Sequence, residues 1–158
     1  LEIDDRDYRV WGSLAGALQN VPGRAAAADS AMDRAIEKAE REQDVNPNDA
    51  MLLAVLSEYY AWRDRDPEAR RNVERALELG GGQTDVLLHA SGAYAILHDT
   101  PNALATMKRA LLAGLPLESF TREPELDSLL ATPQGQAVLR EVKAAAESGS
   151  DSTKRAGQ

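Results

Sequence analysis

The sequence predicts an all-α protein built from about three helical hairpins and closed by C-terminal capping helices. Alanine supplies 27 of the 158 residues and aromatics only seven. That balance suits close-packed helices and disfavours a β-sandwich or barrel. Two segments, 50–83 and 84–117, align without a gap at a spacing of 34 residues, with ten identical pairs. The shared positions fall at helical spacing: Leu53, Ser57, Tyr60 and Ala61 stand at i, i+4, i+7 and i+8, and Ala69, Val73, Ala76 and Leu77 repeat the stripe on the next helix.

The elements follow in order. An upstream copy over about 5–45 begins with Trp11, Leu14, Ala15 and Leu18, spaced as Leu53, Leu56, Ser57 and Tyr60 are. It predicts helices near 5–20 and 24–45, separated by Asn20-Val21-Pro22-Gly23. The distance from Ala35 to Ala76 exceeds the period by seven residues. Seven residues are about two helical turns, so the second helix is read as running on through 37–43. Asp49 should cap a helix over 49–63. Arg63-Asp64-Arg65-Asp66 reads as a turn. Asp66-Pro67 and Thr100-Pro101 place a capping side chain before a proline, predicting helices over 67–79 and 101–113. Gly80 and Gly114 are expected to end those helices in the left-handed conformation. A helix over 84–97 lies between. Ala69, Ala76, Ala103 and Ala110 are expected where helix backbones meet.

Beyond 117 the repeat stops. Glu123-Pro124 with Leu126, Leu129 and Leu130 predicts one short helix, and Thr132-Pro133 with Ala137, Val138 and Val142 another. Together, over 118–147, they should cover the last open face, as a helical array requires. Residues 148–158 are polar and aperiodic and read as a flexible tail; 1–147 reads as a single domain.

Composition narrows function. The net charge is −8, which argues against nucleic acid and against an anionic membrane surface. No apolar run approaches the roughly 20 residues that span a bilayer. There is no cysteine, hence no thiolate zinc site and no disulfide. The chain begins at Leu1 with no signal-peptide pattern, which reads as a piece of a longer protein.

At these residues the sequence resembles the tetratricopeptide repeat (TPR) family. The matching positions are Trp11, Leu14, Ala15 and Leu18 in the first copy, Tyr60, Ala69, Val73 and Ala76 in the second, and Tyr94, Ala103, Met107 and Ala110 in the third, with Pro47 at the inter-repeat proline. The resemblance implies a right-handed superhelix over about 5–117. A narrower resemblance, on Asp7-Tyr8-Arg9-Val10-Trp11-Gly12, Pro22-Gly23-Arg24, Val45-Asn46-Pro47-Asn48-Asp49-Ala50 and the run from Ala113 to Pro133, is to repeat regions of bacterial multidomain signalling proteins. Such regions follow a serine/threonine kinase domain or a winged-helix regulator, often beyond a transmembrane helix. That implies a sensing or docking module in a larger protein, with an extracytoplasmic or a cytoplasmic location both open.

The resemblance also assigns a concave groove. Its positions here are Arg9, Gly12, Gly16 and Gln19, then Met51, Ala54, Glu58 and Trp62, then Asp85, Leu88, Gly92 and Ile96. The partner-binding candidates are Arg9, Met51, Glu58, Trp62, Asp85, Leu88 and Ile96. Met51, Trp62, Leu88 and Ile96 suit an amphipathic peptide or helix. The alternatives are internal packing, a second copy of the chain, or a small molecule near Trp62. One subfamily clamps terminal carboxylates with cations, but the corresponding Gly12, Gly16, Val55, Asp85 and His89 supply none.

Other chemistry has little support. His89 and His98, nine residues apart, cannot share a metal from one helix face. Residues 29–49 hold seven acids against three bases, the pattern of a solvated face or a dock for a basic partner. Gly80-Gly81-Gly82 lacks the lysine and the preceding strand of a phosphate loop. No serine has a His/Asp relay. The chain is therefore expected to be no enzyme, with no catalytic residue, metal or cofactor.

Overall fold

The structure, a computed structural model, describes residues 7–156, with side chains as far as Ser148. Among these residues it is all-helical: nine helices and no strand. The chain forms two compact units, Leu1–Gly81 and Gly82–Gln158. The division falls within the Gly80-Gly81-Gly82 run.

The first unit holds α1 (Tyr8–Gln19), α2 (Ala25–Val45), α3 (Ala50–Trp62) and α4 (Asp66–Gly80). Helix α1 packs on α2 and α3 on α4, two hairpins joined because α2 also lies on α3. Two Asx caps start the odd-numbered helices. The Asp7 carboxylate accepts from the Arg9 N–H at 2.9 Å, and that of Asp49 from Met51 and Leu52 at 2.9 and 3.0 Å. The periodic stripe of α2, Ala28, Ala31, Met32, Ala35, Ile36 and Ala39, is buried between its two neighbours. Ala69 and Ala76 are fully buried on α4, where a larger side chain would hold the hairpin apart.

The second unit repeats the hairpin with α5 (Thr84–Ile96) and α6 (Thr100–Leu112), and adds α7 (Glu118–Thr121), α8 (Pro124–Leu130) and α9 (Pro133–Ala156). Helix α8 packs on α5, and α9 packs on both α6 and α8. Phe120, Leu126 and Leu130 are buried, which accounts for the apolar spacing beyond 117. The Thr132 hydroxyl accepts from the Gly135 N–H at 3.1 Å and so caps α9.

The identical pairs of the 34-residue repeat have matching surroundings. Ser57 and Ser91 are both fully buried, and each hydroxyl donates to a carbonyl of its own helix, Ala54 at 2.6 Å and Leu87 at 2.7 Å. The turns match bond for bond. The Arg65 N–H donates to the Tyr60 carbonyl and the Asp99 N–H to that of Tyr94, both at 2.8 Å. Asp64 donates to Ala61 at 3.2 Å and His98 to Ala95 at 3.0 Å. These paired bonds define a Schellman motif, whose pivot residue must be left-handed. Asp64 (φ 54°) and His98 (φ 56°) occupy it.

Several expectations are corrected. Gly114 is left-handed (φ 97°), but Gly80 is not: α4 runs through it and it is buried. Asp66 and Thr100 are the first helical residues rather than caps. Arg65 precedes α4 and its side chain caps no backbone N–H there, pairing instead with the Glu68 carboxylate at 3.1 Å, and the carboxylate of Asp99 does the capping of α6, accepting from Asn102 N–H at 3.4 Å. The two short closing helices are three elements, the last of them long. Helix α9 crosses the segment expected to be a tail from 148, through Ala144-Ala145-Ala146. Strong helix formers add one backbone bond per residue once a helix is anchored, and the Lys108–Glu141 ion pair (2.5 Å) ties α9 to α6. Of the predicted helix over 5–20, residues 5 and 6 lie outside the described residues, as do 157 and 158.

Candidate functional site

The seven candidates divide between the units. Arg9, Met51, Glu58 and Trp62 belong to the first; Asp85, Leu88 and Ile96 belong to the second, all on α5. Arg9 and Asp85 are exposed, and the other five are half-buried. Met51, Glu58 and Trp62 stand at i, i+7 and i+11 and so share one stripe of α3. Arg9 pairs with Asp7 (Nε–Oδ1 3.1 Å) and lies 5.5 Å from the Tyr8 ring centroid. The hydrogen bond and charge of that guanidinium hold the Asp7 carboxyl below the usual range.

Other groove positions are closed within the first unit. Ala54 and Val55 are buried on α3. Gly12 is buried beneath Tyr59: a Cβ added there would stand 2.1 Å from the phenol oxygen. Gly16 faces the Trp62 indole, which an added Cβ would meet at 3.7 Å. Two glycines one turn apart on α1 thus receive two aromatics one turn apart on α3. Tyr59 was missed in the sequence reading. The available signal was the pair Gly12 and Gly16 itself, since glycine inside a helix costs about 0.5–1 kcal/mol relative to alanine and calls for a packing reason.

Trp62 does not stand free in solvent. With Ala15, Ala28 and Met32, all buried, it walls a cavity of about 120 Å³ among α1, α2 and α3. The mouth is polar: Gln19, Asp29 and Arg63 line it. Arg63 bridges two turns of α2, with Nη1 at 2.9 Å from Asp29 and Nε at 2.9 Å from Asp33. On the other side of Arg63 a more open cleft of about 300 Å³ is lined by Asp33, Ile36, Glu37, Glu40 and Arg65.

That cleft rests on a polar anchor. The Tyr60 hydroxyl donates to Glu40 Oε1 at 2.8 Å, Arg65 Nη1 reaches the same oxygen at 3.3 Å, and the Arg65 guanidinium lies 4.3 Å from the Tyr60 ring centroid. Burial first, and then the hydrogen bond to Glu40, push the Tyr60 phenol above the ordinary tyrosine value. Burial does the same to Tyr59. These groups therefore stay neutral at physiological pH and serve as positioning groups.

Neither histidine joins this site. His98 is exposed at its turn and His89 is half-buried on α5. Among the described residues no three His, Cys, Asp or Glu side chains are placed to hold a metal ion, and no helix is long and apolar enough to cross a membrane. No protein-family model matches the chain, and no curated protein matches it.

Proposed function

We propose that the chain is a protein-interaction module of the tetratricopeptide type, its hairpins forming a right-handed superhelix that binds a peptide or protein segment. The narrower resemblance adds that it serves as the sensing or docking part of a larger bacterial signalling protein. The observation that carries the reading is the recurrence of one hairpin. The same two turn bonds, the same left-handed pivot and the same buried serine recur 34 residues apart. A repeat built so regularly presents first-helix side chains as an array, and Met51, Glu58 and Trp62 on α3 are partly open to a ligand.

The test is selection from a displayed random-peptide library against the folded chain. The selected peptides should lose binding to Met51→Asp and Glu58→Arg and keep it to Glu74→Arg, on the outer helix α4. Peptides indifferent to the α3 changes would refute the reading.

A second reading, self-association, is favoured by α1. Val10 and Leu14 correspond in the repeat to Leu52 and Leu56, which are 1% and 0% exposed, yet they are 36% and 41% exposed. On α3 those positions are buried; on α1 they are open to solvent among the described residues. Light scattering across a dilution series, with Val10→Asp and Leu14→Asp as controls, separates the two readings. A dimer lost in both variants supports the second.

A further inference from the structure

The geometry points to a binding site of specific chemistry beside Trp62: we propose that it takes one aliphatic side chain of a peptide whose neighbouring residues are lysine or arginine. The proposal rests on the peptide-binding reading and names the class of peptide.

Ala15, Ala25, Ala28, Met32 and the Trp62 indole form the apolar side of the cavity, which an aliphatic group would contact, and Gln19, Asp29 and Arg63 form its polar side. Its volume is about 120 Å³. An apolar cavity of roughly 150 Å³ accepts benzene, so this one has room for a leucine, isoleucine or methionine side chain and not for an indole. Gly16 keeps the approach to the indole clear, because any longer side chain there would lie against it.

The charge around the mouth selects the neighbours of that anchor. Arg63 separates the cavity from the cleft and is already held by Asp29 and Asp33. These two acids remain about 60% exposed at their side chains, so part of each carboxylate still faces solvent. Counting both mouth and cleft, Asp29, Asp33, Glu37 and Glu40 outnumber Arg63 and Arg65. The whole unit carries the same sign, since residues 1–81 hold seventeen acids and eleven bases. A peptide entering here with an acidic flank meets like charge; one with a basic flank is steered in and held.

The probe is acetyl-Gly-Leu-Gly-Lys-Lys-amide, titrated into the full chain to about 5 mM, the range in which weak peptide contacts saturate. The readout is the Trp62 indole N–H resonance, assigned with Trp62→Phe. A saturable shift is expected. It should be lost with the Leu→Gly probe and weakened at least tenfold with both lysines replaced by glutamate. Ala25, the first residue of α2, also lines the cavity; Ala25→Leu is chosen to fill it with the chain's own side chain, and the shift should vanish while circular dichroism stays unchanged. An unmoved indole, an equal response to the Leu→Gly probe, or binding undiminished in Ala25→Leu overturns the proposal. Shifts confined to other residues overturn the cavity as anchor and leave peptide binding standing. Failure of the broader reading shows itself separately, in the library selection, which uses none of these probes.

Discussion

Gly135→Ala should unfold the second unit more easily, although the same change in most helices is stabilising. Gly135 stands in the first turn of α9, which doubles back on the end of α8. A Cβ there would lie 2.4 Å from the Leu129 carbonyl oxygen, 2.7 Å from the Leu130 Cα and 2.8 Å from the Leu130 carbonyl oxygen. Each separation is about 1 Å short of ordinary contact. All three atoms are backbone, so no side chain can rotate away; α9 must lift from α8. Relief would stretch the Thr132 cap and the bond from the Gln136 side chain to the Leu130 carbonyl (2.9 Å). Overpacking of this kind costs about 1–3 kcal/mol, against which alanine recovers up to about 1 kcal/mol of backbone entropy. With backbone atoms on every side the upper end of that range applies, so the expected net loss is about 2 kcal/mol, which lowers the urea midpoint by about 1–2 M at a slope of 1–2 kcal/mol/M. Gly82→Ala is the control: nothing stands within 4 Å of its Cβ and its φ is not left-handed, so it should be neutral or stabilising by up to about 1 kcal/mol. Urea melts of both variants by circular dichroism make the comparison. If Gly135→Ala melts at or above the parent, the account of the α8–α9 junction is wrong.

Three further outcomes are expected. His98→Gly removes a left-handed histidine from an exposed turn and should raise stability by up to about 1 kcal/mol, whereas the same change at exposed Arg140, inside α9, should lower it; equal effects in thermal melts would contradict the turn assignment. Ala76→Leu inserts three more carbon atoms where Ala76 has no exposure, and a melting temperature that fails to drop would refute the packing, since about 1–3 kcal/mol should be lost. The first unit should lose stability as pH rises above 10, because Tyr59 and Tyr60 ionise in the unfolded chain before they do in the folded one; below that value both states keep the proton and no dependence arises from them. Urea midpoints between pH 9 and 11 should fall less steeply in Tyr59→Phe, and an unchanged slope would count against Tyr59 as the cause.

The helices were legible because their ends are written in residue types. Proline, aspartate and the 34-residue recurrence placed all six hairpin helices to within a few residues. Less legible were features that depend on which backbone bonds the chain makes. Asp64 and His98 carry a turn usually given to glycine, and a residue type alone does not announce a left-handed φ. Gly80 shows the converse, a glycine matched in sequence to Gly114 yet absorbed into a buried helix end. The cap at Asp99 escaped notice because Thr100 beside the proline is also a good capping residue. At the site, Trp62 stood out as a large aromatic, but its neighbours are brought in by three helices. Ala15, Met32 and Arg63 are spread over 49 positions of the chain, and no local pattern joins them. Helix α9 outran its expected end because propensity near the terminus favoured helix while polarity suggested a tail.

Gly12 and Tyr59 share one volume: the phenol oxygen occupies space that any other residue at position 12 would claim for its Cβ. Position 12 therefore cannot vary on its own account. A comprehensive substitution scan would find position 12 intolerant while tyrosine remains at 59, and permissive once 59 is shortened. The two residues, 47 apart in the chain, would be recovered as an epistatic pair. A coupling of that kind is a ruler laid between α1 and α3, and it reports their approach from survival counts alone.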